Sequence, residues 1–161
     1  MTSMNSESSW RVALAAAIGV AAGFVLCRAS NRRGEKPRVV RSSAACAPGG
    51  HYAQAIVAAG LVEVSGLLPI SALGVKLVDA PFAEQAQCVL DSMQAILEES
   101  GSSLSLITKC RVYVDDVSNW PEFDKLYSAA LGEWRPSRVV VPVPVLHYGA
   151  KIEIECTAVL A

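Results

Sequence analysis

The chain has 161 residues, 52% of them hydrophobic and 18% charged, with a formal net charge of −1. That composition excludes wholesale disorder and fits one domain of ordinary size plus an appendage. The near-zero total hides an asymmetry: six basic residues stand against one acid between Arg28 and Arg41, and seven against thirteen from Cys46 to Ala161, a net of −6. An acidic body repels a phosphate backbone, which argues against nucleic acid as the main partner. Five scattered cysteines without CxxC spacing and two distant histidines, His51 and His147, supply neither a disulfide framework nor a metal quartet. Reduced thiols and no metal site are the expectation.

In chain order, residues 1–11 are polar, and Val12 to Cys27 (VALAAAIGVAAGFVLC) is an uncharged run of sixteen residues. A bilayer core usually asks for roughly 20. Charge follows this run rather than preceding it, and Met1 to Ser9 carries only Glu7. A cleaved secretory signal and an amphipathic matrix transit peptide therefore fit less well than a retained signal-anchor. By the positive-inside rule, the basic segment 28–45 would stay in the cytosol as a flexible linker, with the domain 46–161 beyond it. Such short, Ala/Gly-tempered segments resemble signal-anchors of the mitochondrial outer membrane. The endoplasmic reticulum and the peroxisome are the alternatives, or the mitochondrial matrix should the segment be cleaved.

Beyond Pro48-Gly49-Gly50, Ala53–Ala59 and Leu61–Val64 read as strands of a hairpin turning at Gly60. Ala83–Ser100 reads as a helix, with Val89, Leu90, Met93, Ile96 and Leu97 at helical spacing and Gly101 as its stop. Leu106–Val114 is a strand. A second helix is predicted over Trp120–Glu133, with Asn119 and Glu122 as a capping box and Pro121 in the first turn. Arg138–Val145 is rich in β-branched residues, although Pro142 and Pro144 argue for an edge or interrupted strand. Lys151–Leu160 alternates as a half-buried strand should. The order β-β-α-β-α-β-β predicts an α+β fold: one sheet with both helices on one face.

Two features stand apart from core-making. Arg138 opens an apolar strand, where a guanidinium is costly to desolvate unless it meets an anion, and its fork suits a carboxylate. Read from composition alone, a surface or structural ion pair is the better account of it. Glu153 and Glu155 share a strand face with Lys151 by period two, while Ile152, Ile154 and Cys156 point the other way. Such a face is ordinarily just solvated.

The motifs taken together say more: His51-Tyr52-Ala-Gln54-Ala, Val64-Ser65-Gly66-x-x-Pro69, Glu-Glu-Ser-Gly101, Lys109-x-x-Val112-Tyr-Val-x-Asp116, Pro136-Ser-Arg138 and Gly149-Ala-Lys-Ile-Glu153-Ile-Glu155. In this order and spacing they resemble the reactive-intermediate deaminase (Rid, or YjgF) family across essentially all of 46–161. The resemblance implies a chorismate-mutase-like fold, and a homotrimer with sites in the clefts between subunits. It also implies hydrolysis of 2-imino or enamine acids to 2-oxo acids and ammonia without cofactor. Carried over by position, Arg138 would bind the substrate carboxylate and Glu153 would activate water, with Tyr52, Ser65, Gly66 and Asp124 lining the site. This chain departs from the family pattern at His51, Leu67, Asp124 (commonly Asn) and Val140 (commonly Cys or Ser). The alternative reading is a non-catalytic ligand-binding or chaperone-like member of the same fold tethered to a membrane.

Overall fold

A computed structural model describes residues 36–161. Six strands form one mixed sheet: β1 (Arg38–Val40), β2 (Ala55–Ala58), β3 (Leu61–Leu67), β4 (Ile107–Val114), β5 (Ser137–Pro142) and β6 (Ile152–Val159). Helix α1 (Phe82–Ser100) joins β3 to β4, and α2 (Trp120–Leu131) joins β4 to β5. The strand order is β1-β2-β3-β6-β4-β5. Among hydrogen-bonded neighbours only β4 and β5 run parallel, and they are the one neighbouring pair joined by a helical crossover, since β6 separates β3 from β4. The β2–β3 hairpin turns at Ala59 (φ 52°) and Gly60 (φ 82°), the pair of left-handed residues that a two-residue hairpin needs.

Both helices cover one sheet face. Val89, Met93, Ile96 and Leu97 of α1 and Phe123, Tyr127 and Leu131 of α2 join Val62, Val112, Ile152 and Ile154 in a single core. The period-two reading of β6 holds, with Ile152, Ile154, Cys156 and Ala158 buried while Glu153, Glu155 and Thr157 lie half-exposed on the opposite face. That opposite face carries polar pairs rather than a core: Arg111 Nη1 and the Tyr113 hydroxyl donate to Glu155 Oε1 (3.3 and 3.1 Å), and Thr157 Oγ1 donates to Glu63 Oε2 (2.8 Å).

Three local expectations are corrected. The basic linker does not run free to residue 45: Arg38–Val40 pairs with Val57–Ala55 as an edge strand. Val40 is only 1% exposed, so one apolar contact ties the segment down, and Arg38 Nη2 donates to the Ser100 carbonyl (2.8 Å) at the α1 C-terminus, where a cation is favoured. No capping box forms at Asn119, whose backbone is already helical (φ −75°, ψ −10°). The side-chain cap lies upstream, where Asp116 Oδ1 accepts from the Ser118 N–H (2.8 Å) and starts a 3₁₀ turn that runs into α2. Finally, β5 stops at Pro142, and only Val143 N–H reaches back to the Val114 carbonyl (2.9 Å) before Pro144.

Gln85, fully buried on α1, ties the β3–α1 connection to the start of β6. Its amide donates to the carbonyls of Val78 (2.9 Å) and Ala80 (3.0 Å), and its Oε1 accepts from the Lys151 N–H (2.9 Å). Gln85→Leu would keep the volume and strand the Val78 carbonyl and the Lys151 N–H, while the Ala80 carbonyl keeps the Lys151 ammonium (3.2 Å). It is expected to destabilise the domain by about 2–4 kcal/mol in denaturant unfolding.

Candidate active site

The three residue steps of β3 from Val64 to Leu67 span what two steps of β6, from Cys156 to Ile154, span opposite them. The extra residue is a β-bulge at Ser65-Gly66. It re-aims the chain there: Ser65 N–H donates to the Gln54 carbonyl (3.0 Å) and Ser65 Oγ to the Ala53 carbonyl (2.7 Å). Gly66 then faces Glu153 directly. A Cβ at Gly66 would collide with Glu153 Oε1, so the absence of a side chain is what lets the carboxyl fold back against the β3 backbone. Gly66→Ala is expected to expel the Glu153 side chain and lose catalysis while the fold persists, checked by activity together with circular dichroism.

Glu153 lies in a cavity of about 600 Å³ shared with Tyr52, Ser65, Gly66, Lys76 and His147. Burial raises its proton affinity, repulsion from Glu155 adds to that, and His147 opposes it. A carboxyl shifted upward in a cleft holds a proton more readily than an ordinary glutamate, as a group that takes and returns one must. The far wall is the arch 42–52, which Gln54 holds. Gln54 is only 5% exposed; its Nε2 donates to the Cys46 carbonyl (2.8 Å) and its Oε1 accepts from the Ser42 N–H (2.7 Å). At the tip of the arch, Gly49 N–H donates to the Tyr52 hydroxyl (3.3 Å). Gln54, Lys76, His147 and Tyr148 were not singled out as site residues from sequence. The one available signal was Gln54 itself, an amide between alanines at the mouth of a strand.

Arg138 sits elsewhere. In the parallel register it lies opposite Cys110, and Cys110 lies opposite Cys156, so all three side chains share the helix-covered face. Arg138 Nη2 meets Asp124 Oδ1 at 2.7 Å, and its guanidinium lies 4.8 Å from the Tyr127 ring centroid and 5.8 Å from that of Phe123. Burial pushes the Cys110 thiol up to about 11, and the same cause leaves the Tyr127 hydroxyl protonated. Glu153 pairs in register with Tyr113, on the opposite face. A single chain therefore brings Tyr52, Ser65, Gly66 and Glu153 together, and separately Arg138 with Asp124. It does not bring the two sets into one pocket.

An α+β domain with a bulged, acid-bearing cavity on its open sheet face defines a class, and comparison with known proteins names it. Residues 42–160 match the family described as Endoribonuclease L-PSP, and the chain belongs to that family, in which the Rid/YjgF proteins fall. It is 34% identical over 125 residues to Reactive Intermediate Deaminase A, chloroplastic, of Arabidopsis thaliana, covering 78% of this chain and 67% of that one. It is 35% identical over 112 residues to Protein mmf1, mitochondrial, of Schizosaccharomyces pombe, covering 68% of each. Among solved structures it superposes on that of E. coli TdcF with bound serine at a TM-score of 0.73, with 26% identity, covering 77% of this chain and 99% of that one.

The localisation expected from sequence is corrected by these findings. Among the described residues no helix is long and apolar enough to cross a membrane, and the segment 12–27 that carried the signal-anchor reading lies outside them. The two eukaryotic relatives above are named as mitochondrial and chloroplastic proteins. A membrane-anchored domain facing the cytosol is not retained.

Proposed function

We propose that the chain is a hydrolytic deaminase that converts reactive 2-imino and enamine acids to 2-oxo acids and ammonia. The observation that carries the reading is the Glu153 carboxyl, held in a cavity against Gly66 with its proton affinity raised by burial. As water attacks the imine carbon, Glu153 takes the proton and the C=N π pair moves to nitrogen, giving a carbinolamine. Glu153 then returns that proton to nitrogen, the C–N bond breaks, and the hydroxyl proton leaves with ammonia as the carbonyl forms. Iminium and water enter; ketone and ammonium leave.

The carboxylate clamp comes from Arg138 of a neighbouring copy. β5 is an outer strand of the sheet, and its Arg138 carries Asp124 with it; the homotrimer of this proposal sets that rim against the Glu153 cavity of the next subunit. Apart from Nη2, the other guanidinium N–H groups of Arg138 have no acceptor among the described residues, which leaves a face of the fork for substrate. An acidic domain whose cavity holds one histidine and one lysine is poorly suited to RNA cleavage, despite the family's description.

The test is ammonia release from 2-iminobutanoate generated in situ, alongside the solution mass of the active species. Turnover well above the uncatalysed rate by a trimer is expected. No acceleration would leave the second reading, a ligand binder, which the Arg138–Asp124 ion pair favours because it occupies part of the clamp.

A further inference from the structure

The Glu153 cavity has a second chemical wall that the deaminase reading does not use. Between β3 and α1 the chain makes a tight secondary hairpin. Ile70 bridges Lys76, Ser71 N–H donates to the Val75 carbonyl (2.9 Å), Gly74 N–H donates to the Ser71 carbonyl (2.8 Å), and Gly74 turns at φ 82°. The Lys76 backbone is thereby fixed at the cavity wall. Its ammonium stands 3.6 Å from the Tyr148 ring centroid. Tyr148 is itself set by an unusual backbone, φ 63°, followed by Gly149 at φ 77°. A bulky side chain rarely adopts that conformation, and it marks a position held for a purpose. The His147 ring packs edge-on against Tyr148, with centroids 4.0 Å apart. Lys76, His147 and Tyr148 all line the cavity that holds Glu153.

The charges are uneven. Glu153 is the single carboxylate in the lining, against one lysine and one histidine. Two sheet cations are satisfied by acids, Arg111 by Glu155 and Arg138 by Asp124, whereas Lys76 has no carboxylate within salt-bridge distance among the described residues. In a domain of net −6, an exposed ammonium on the cavity lining, held over the Tyr148 ring and without a carboxylate partner, is a local attraction for an anion.

Resting on the deaminase reading, we infer that the Lys76–Tyr148–His147 corner is an anion subsite, and that the preferred substrates are 2-imino acids bearing a second carboxylate on the side chain. The α-carboxylate goes to the Arg138 clamp, the imine carbon to Glu153 and its water, and the distal carboxylate to Lys76. The bond changes are those given above, and the product is a 2-oxo dicarboxylate with ammonia. Lys76 is a specificity residue and touches no reacting atom.

The experiment uses the full chain and two imines made in situ, 2-iminosuccinate from aspartate with an aspartate oxidase and 2-iminobutanoate from threonine with a threonine dehydratase. Hydrolysis of each is read against semicarbazide capture. The dicarboxylic imine is expected to show the higher kcat/KM. Lys76→Met should lower the ratio of the two kcat/KM values by about tenfold or more, the loss of one charge-assisted contact, and chiefly through KM. Lys76→Arg should restore most of it. A ratio untouched by Lys76→Met, or a wild-type preference for 2-iminobutanoate, overturns the subsite. Should neither imine be hydrolysed, it is the deaminase reading that fails. Calorimetry with 2-oxoglutarate against 2-oxobutanoate then decides the subsite alone: tighter dicarboxylate binding that disappears in Lys76→Met supports it, and equal binding overturns it.

Discussion

Glu153→Gln is expected to lower kcat for imine hydrolysis by about 10²–10⁴-fold, the range that a positioned general base usually supplies. The amide fills the same space beside Gly66 and accepts hydrogen bonds, but it cannot take a proton from water. Because burial and Glu155 raise the proton affinity of Glu153, the wild-type rate should fall as pH drops through a value above that of an ordinary glutamate, where the base form is lost. In the variant that acid limb should vanish along with most of the rate. A pH profile of kcat/KM for both proteins reads this directly. An unchanged acid limb in Glu153→Gln would assign the base to another group.

The second large effect is Arg138→Ala. Two charge-assisted hydrogen bonds to a substrate carboxylate are each worth about 1.5–3 kcal/mol, so kcat/KM is expected to fall by about 10²–10⁴-fold. The cost to folding should be small. The side chains of Arg138 and Asp124 are 21% and 41% exposed, and such a pair contributes about 1 kcal/mol or less. Loss of the guanidinium over Tyr127 adds only a modest packing term. Retained activity in a well-folded Arg138→Ala protein would remove the arginine from the mechanism. Retained mass and thermal stability with lost activity would place it in the site.

The sheet and its helices were legible because their signals are local and periodic. Ile152 to Ala158 alternates without interruption, and α1 repeats its apolar positions at helical spacing over nineteen residues. Edge strand β1 was not legible, because three residues within a basic, Gly- and Pro-broken stretch give no period; it exists through Val40 meeting the core and Arg38 meeting a helix end. Glu153, Ser65 and Gly66 were recognisable as a group through their motifs, yet no motif told that Gly66 makes room for the acid or that the arch rests on Gln54. Lys76 and Tyr148 lie seventy-two positions apart, and only the fold of two loops brings ammonium and ring together. That Arg138 and Glu153 occupy opposite sheet faces follows from strand register, which a sequence of strands without their pairing leaves open.

The bulge at Ser65-Gly66 also inverts the parity of its strand. Val62 and Val64 point to the helices before it, and Leu67, an odd number further on, packs on the same core after it. The two residues that make room for the acid are thus the ones that keep the remainder of β3 in phase with its neighbours. Deleting either would turn Leu67 out to water as well as close the space beside Glu153, so the length of this one bulge serves the packing of β3 and the placement of the acid at once.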